Sequence, residues 1–524
     1  MRHIMIILLL VIMATMASCS RSPNEITPQT LQDVMYIASS RRDGINKADY
    51  STLTRLQGER TPMRNSAITD FVISHYPPMY ITAYDAVADM WLLFYLMQDI
   101  YGGYVYFGGD EVFIPLFESL ESMILGYSCD ARLRFFGFDR NEITSNALAS
   151  MLIWYLGSIV TDLHFHIEGN VLRGYHFYFY AQYPSYFKSE RGFRNVATGL
   201  YLASIEGHDI DTVMRLHINN NGDIFYRPVF FIDIFEQVYD FINSFVDAAA
   251  NNPYEELIMG DILPALITFT YEDGFTSTYR FIHEDLYTTR CEIDTFASLE
   301  HIDGIPTVIV RSFGYGDTNR FSRAMRAELL ISYARYLRDE RLIIVDMRGN
   351  PGGDSSLPVR LIYELTGEIC FPNFIGLSTL ETLEWLTDMY SFYYNWAYLD
   401  DGYIMVNKGP REIIEREQKM IILIDRFTAS AAEVFVDSSF NMTNTLVMGT
   451  PSAGNMAFGG AHNFVLPNTG IAFGFGRTVY IWPDDHFAEG AGIEPDIWVD
   501  GDALTAALAL LRNAGFGYCA DADY

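Results

Sequence analysis

Basic side chains are scarce in this chain: 35 Lys and Arg stand against 66 Asp and Glu among 524 residues, a net charge of −31 at pH 7. Counterion release on nucleic acid needs clustered Lys and Arg, and charge-driven docking on anionic lipid needs the same, so neither is the partner. Cysteine is sparse too, five in all, with no CxxC or Cys/His spacing of a zinc site. Cys129, Cys291, Cys370 and Cys519 lie far apart; an exported chain has room for one or two disulfides among them, in a pairing the sequence leaves open. Long hydrophobic runs are missing as well. The longest internal candidate, 147–160, has the length of a buried helix rather than of a membrane span. There is no internal repeat, and no phosphate loop of the Gly-Lys-Ser/Thr type.

What is present is apolar and aromatic. Half of the residues are hydrophobic and 15% aromatic, with 35 tyrosines, which excludes a disordered or low-complexity chain. The length suits two to four domains, each with its own core. At the N-terminus Arg2 and His3 precede an apolar run, 4–14, and then Met16-Ala17-Ser18-Cys19. Eleven apolar residues rise only about 16 Å as a helix, short of a bilayer core near 30 Å. The pattern is that of a secretory signal, 1–18. The Cys after Ala-Ser resembles a bacterial lipoprotein signal, in which Cys19 is lipidated, with Met16 where Leu is usual. The alternative is an ordinary signal peptide with an incidental Cys. The polar stretch 19–33 reads as a tether.

From 34 to 167 the pattern is helical and aromatic, with helices expected over 84–98 and 144–160, the latter capped by Thr144. The region 168–298 is richer in strand signals, as at 201–210 and 265–271. From 299 to 524 strands and helices alternate regularly. Strands are expected at 307–313, 342–347, 420–424, 445–448 and 497–499. Helices are expected at 321–337, 357–366, 431–440 and 502–513. Alternation of this kind implies an α/β layer whose sheet is covered on both faces.

Three strand-end motifs carry chemistry. Asp346-Met347-Arg348-Gly349-Asn350-Pro351-Gly352-Gly353 follows a strand, and its paired glycines let the backbone turn sharply and present N–H groups to an oxyanion. Alone it is also an ordinary strand-to-helix turn. Thr428-Ala429-Ser430-Ala431-Ala432-Glu433 places Ser430 at a helix start. Ser430 with Glu433 fits a capping box, and the same geometry suits a nucleophile beside the Ala431 N–H. Glu489-Gly490-Ala491-Gly492-Ile493-Glu494-Pro495-Asp496 marks a turn before a strand, where Glu489 is equally a solvated loop acid.

In this order the three motifs resemble peptidase family S41, the family of the C-terminal processing (tail-specific) and tricorn core proteases. The resemblance covers roughly 302–512. It implies a serine peptidase with sheet-and-helix layers of the ClpP/crotonase kind, acting on peptides or proteins without metal or organic cofactor. Ser430 takes the nucleophile position, and Ala431 with Gly352 or Gly353 the oxyanion hole. The processing branch uses a Ser–Lys dyad, but Asn455 stands at the Lys position here and cannot accept a proton at useful pH. The tricorn-like branch draws its base from an Asp-x-His element upstream. Thr161-Asp162-Leu163-His164-Phe165-His166 resembles that element, with His164 as base and Glu489 as acid, on the imidazole or through an intervening hydroxyl. The tricorn serine before the His is Leu163 here.

Each assignment has an alternative. His164 also reads as a hydrogen-bonded core histidine. His166 would share a face with it on an extended segment, a pair that looks like a metal site but has no recognisable third ligand. His486 is a fallback base. The stretch 203–210 is similar to the strand and Gly turn of a PDZ-like domain, and the helical region to the leading domain of exported members. The resemblance implies an anchored enzyme on the periplasmic face of a membrane or at the cell surface. The competing readings are a non-catalytic binding protein for peptides or lipophilic ligands on the same scaffold, as in retinoid-binding repeats, and hydrolysis of a non-peptide ester or amide.

Overall fold

A computed structural model describes residues 30–45, 80–126, 133, 136–138, 143–172, 176–180, 184–233, 266–280, 282–283, 296–314, 320–368, 370, 375–379, 396–398, 403–406, 413–482, 487 and 489–516. The proposed signal, Cys19, Cys129, Cys291, Cys519 and His486 lie outside these residues.

The fold is mixed α/β, built on a twelve-stranded sheet. Its central strands run Ile305–Val310, Leu342–Asp346, Lys419–Ile424, Thr445–Gly449, Ile497–Asp500 and Met214–Asn219, each parallel to its neighbour. All five residues of Leu342–Asp346 are buried, as a parallel strand covered on both faces requires. Alternation sorts them: Ile343 and Val345 enter one core, Leu342 and Ile344 the other. The first core is closed by helices Arg320–Leu337, Ser356–Thr366 and Ala431–Ser439, through Leu330, Leu361 and Phe435. The second is closed by Leu31–Ile45 and Ala503–Asn513, through Val34 and Leu510. At one end of the sheet the hairpin Ala297–Ile302/Ile305–Val310 turns on Asp303 and Gly304, both at positive φ (51° and 77°). Two positive-φ residues are what a type I′ turn needs, and Asp-Gly supplies them.

The two helices anticipated before 160 are Ala83–Ile100 and Ser145–Gly157, with Thr144 capping the second through the Ala147 N–H, and Asp110–Leu125 lies between them. No helix among the described residues is long and apolar enough to cross a membrane. These helices bury their aromatic side chains against a four-stranded sheet ordered Asn170–Leu172, Asp162–Ile167, Ala472–Phe475, His462–Val465. Phe94, Phe117, Phe165, Phe473 and Phe475 share that core. Two polar ties fix the hairpin of its last two strands, His462–Val465 and Ala472–Phe475, to the helices. Buried Asp89 accepts the N–H groups of Asn468 and Thr469, and the Ser145 hydroxyl donates to the Thr469 carbonyl at 2.7 Å. Strand Asp162–Ile167 is thereby held across the chain: His166 is paired with Gly474 and Ile167 with Phe473.

The region between is β-rich. Leu202–Ile205, Leu266–Tyr271 and Thr276–Arg280 form a separate three-stranded sheet, while Met214–Asn219 and Ile224–Asp233 extend the main one.

Candidate active site

Ser430 sits where strand Lys419–Ile424 turns into helix Ala431–Ser439. Its backbone adopts φ 52°, ψ −119°, which a residue with a Cβ takes only when its surroundings force it, at a cost of roughly 1–3 kcal/mol. The restraints are polar. Asp425 accepts the N–H groups of Gly349 and Phe427 at 2.9 and 3.0 Å, so one carboxylate ties the Gly-rich turn to the serine turn. The Thr428 hydroxyl, which accepts the Asp425 N–H, lies 3.1 Å from the Met347 carbonyl. Ala429 donates to the Asn350 carbonyl at 2.8 Å. Gly352, at φ 93°, presses against the turn: a Cβ there would meet the Ala429 oxygen at 2.6 Å and the Ser430 Cβ at 2.7 Å.

Beneath the serine lies Glu433, fully buried. It accepts from the Ser430 N–H (2.7 Å), the Ser452 hydroxyl (2.6 Å), and the N–H groups of Gly454 (2.8 Å) and Asn455 (2.9 Å). Burial pushes its carboxyl up to about 7 against the pull of those donors. The S-x-x-E pattern showed only the cap; the structure makes Glu433 the clamp between the serine turn and loop 452–455. Ser452 in turn accepts the Ile493 N–H at 2.6 Å, which binds that loop to the closing Gly-x-Gly motif.

His164 comes from strand Asp162–Ile167, 266 residues before Ser430 in the chain, and its Nε2 lies 3.3 Å from Ser430 Oγ. Asp162 orients the segment by accepting the N–H groups of His164 (2.7 Å) and Phe165 (3.2 Å) through one oxygen. Burial, with the charge of His166 second, lowers His164 to about 4, which leaves its ring neutral at pH 7. Burial raises Asp162 to about 7. His166 turns away to Asn463, 3.1 Å from its Oδ1, and takes no part in the cluster around Ser430.

Glu489 lies close to this pair but bonds elsewhere than the triad pattern suggests. Its carboxylate accepts the N–H groups of Leu163 (3.0 Å), Met456 (3.2 Å) and Ala457 (2.7 Å), and the His164 Nδ1 makes no hydrogen bond. An atom from each of Asp162, His164 and Glu489 falls within 4.8 Å of the others. Burial first, and the neighbouring Asp162 second, hold Glu489 well above the usual carboxylate range. Leu163 supplies no hydroxyl; its backbone N–H meets the acid instead. Tyr101, wholly buried, brings a hydroxyl beside Asp162. Nothing in the sequence around Tyr101 pointed to this site.

The anticipated oxyanion donors separate. Ala431 opens its helix, where the first N–H groups have no intrahelical acceptor. Gly352 is corrected: its N–H donates to Asn350 Oδ1 at 2.9 Å, so it packs against the nucleophile without offering a donor. Gly353 remains the candidate from that turn. Asn455 keeps its side-chain oxygen buried without a partner. Cys370 is buried, its thiol donating to the Ser438 carbonyl.

No curated protein matches the chain in sequence. Among solved structures it is similar to mature CPAF, at 14% identity and TM-score 0.39, covering 83% of this chain and 95% of that one. It is also similar to the photosystem II D1 C-terminal processing protease, at 12% identity and TM-score 0.34, covering 83% and 97%. Tricorn protease gives 12% identity and TM-score 0.33, covering 82% of this chain and 37% of the other. The family model for peptidase family S41 matches residues 312–499, a span that holds the Gly-rich turn, Ser430 and Glu489 but not His164. The three motifs singled out in the sequence therefore all fall inside the stretch that is similar to peptidase family S41.

Proposed function

We propose that the chain hydrolyses peptide bonds through an acyl-enzyme on Ser430, with His164 as general base. The reading rests on one observation above the rest, the 3.3 Å approach of His164 Nε2 to Ser430 Oγ at a strained turn. A neutral imidazole takes the hydroxyl proton as Oγ attacks the scissile carbonyl. The negative charge that develops on the carbonyl oxygen meets the Ala431 N–H at the helix start, with the Gly353 N–H as second donor. The imidazolium then forms beside the Asp162 and Glu489 carboxyl groups. It returns the proton to the leaving amine, and water repeats the sequence to free the serine. Glu489 serves mainly as a positioning residue: by holding the Leu163 N–H it fixes the strand that carries the base.

An activated serine endopeptidase or carboxy-terminal processing enzyme of exported proteins and peptides is the function we assign. The leader 1–18, directly before Cys19, supports a lipid-anchored enzyme on the periplasmic face of a membrane or at the cell surface. The test is hydrolysis of an unstructured, dye-labelled protein such as casein. The wild type is expected to cleave it, and Ser430→Ala to lose at least about a thousandfold in rate. Equal rates for both proteins would remove the assignment.

A further inference from the structure

Behind the serine–histidine pair two carboxylates are buried without a cation. Among the described residues neither Asp162 nor Glu489 has a Lys or Arg ion-pair partner; both accept backbone N–H groups. One oxygen of each and one ring nitrogen of His164 lie within 4.8 Å of one another. Two further observations turn this cluster into a ligand site. Asp162, 0% exposed, has its Oδ2 buried without a hydrogen bond, and the neighbouring Tyr101 hydroxyl is likewise buried and unbonded. His164 Nδ1, on the ring edge away from Ser430, is likewise buried and unbonded.

We propose that Asp162 Oδ2, His164 Nδ1 and Glu489 bind a divalent cation of the zinc class, and that the bound ion switches the peptidase off. The switch rests on the reading of Ser430 and His164 given above; the ion site does not. An imidazole and two carboxylates match zinc, which takes such ligands at about 2.0–2.2 Å and keeps a fourth position open. Calcium takes six to eight oxygens and magnesium keeps several waters, and a buried imidazole suits neither. A dication also relieves the mutual repulsion of two carboxylates in a low-dielectric site. The inhibitory logic lies in the ring. Coordination uses the Nδ1 lone pair, so the single proton of neutral His164 resides on Nε2. That atom then donates toward Ser430 Oγ and has no lone pair to take its proton. The ion and the active tautomer are therefore mutually exclusive.

The experiment uses the full chain, stripped with EDTA and dialysed. Zinc alone is titrated by calorimetry, and cobalt alone is followed by its visible absorption. One ion per chain with micromolar affinity is expected, with cobalt bands of a four- or five-coordinate site. Affinity is expected to fall at least about tenfold in both Asp162→Asn and Glu489→Gln, each first shown folded by circular dichroism. Zinc is further expected to block fluorophosphonate labelling of wild type, and EDTA to restore it. No saturable zinc binding, or binding unchanged in both variants, overturns the site and leaves the carboxyls as a proton-sharing pair. Binding lost in both variants, with labelling absent even from metal-free protein, upholds the ion site while removing the switch together with the serine reading.

Discussion

Ser430 adopts a backbone conformation that its Cβ disfavours, and the side chains around it explain how that is sustained. Glu433 contributes most, because four donors converge on one buried carboxylate. Glu433→Ala would leave three N–H groups and a hydroxyl unpaired in the core, at about 1–3 kcal/mol for each that finds no water. We expect urea denaturation to show a loss of about 3–5 kcal/mol in stability, with activity lost alongside. A change within about 1 kcal/mol would mean that the clamp is dispensable. His164 is the residue whose removal separates chemistry from structure. His164→Gln should lower kcat by at least about a thousandfold with the denaturation midpoint little changed, since the His164 side chain makes no hydrogen bond besides its contact with Ser430. At this scale the sequence was legible where a motif names an atom, as at Ser430. It was silent where the role depends on a fold contact: Glu433 appeared only as a helix cap, and Tyr101 carried no signal.

The base reaches the nucleophile because one short strand is captured by a hairpin far downstream. Gly474, opposite His166, is the tightest point of that capture: a Cβ there would meet Asn463 Oδ1 at 2.4 Å and His166 Nε2 at 2.7 Å. Gly474→Val should therefore shift the strand and pull His164 out of reach. We expect kcat to fall at least tenfold with substrate KM little affected, read from steady-state kinetics; an unchanged kcat would show that the strand yields without carrying the base. The parallel strands and their helices were readable from apolar runs and helical periodicity, to within a residue or two at Leu342–Asp346, Ser356–Thr366 and Ala431–Ser439. Each such element buries a face that its own sequence displays. The pairing of 162–167 with 472–475 was not readable, because register across three hundred residues leaves no local trace. The same limit explains Gly352. Its place in the motif suggested a donor, and only the turn geometry reveals that Asn350 has taken its N–H.

For the molecule as a whole, the buried carboxyls set how stability responds to pH. Asp162 and Glu433 both titrate near 7 when folded, against 3.8 and 4.5 as their ordinary values. A raised carboxyl favours the folded state fully below its unfolded value, and that contribution is lost as pH rises through 7. His164 works the other way: lowered to about 4 from 6.5, it costs stability as pH falls below 6.5. Asp162→Asn mimics the protonated acid and isolates the first effect. Between pH 5 and pH 8.5 the melting temperature of wild type should fall relative to that of the variant, and a parallel course for the two would contradict the raised Asp162. The acidic balance of the chain was evident from composition, but which of its acids are raised toward neutral pH depends on burial, which only the fold decides.

All of this converges on whether Ser430 is an activated nucleophile. The direct measurement is fluorophosphonate labelling of the purified chain, with the adduct mapped by peptide mass spectrometry, beside Ser430→Ala and His164→Ala. One adduct is expected, on Ser430, absent from the first variant and slowed at least about a hundredfold in the second. A folded wild type that takes no label after EDTA treatment, or labels on another serine, would contradict it.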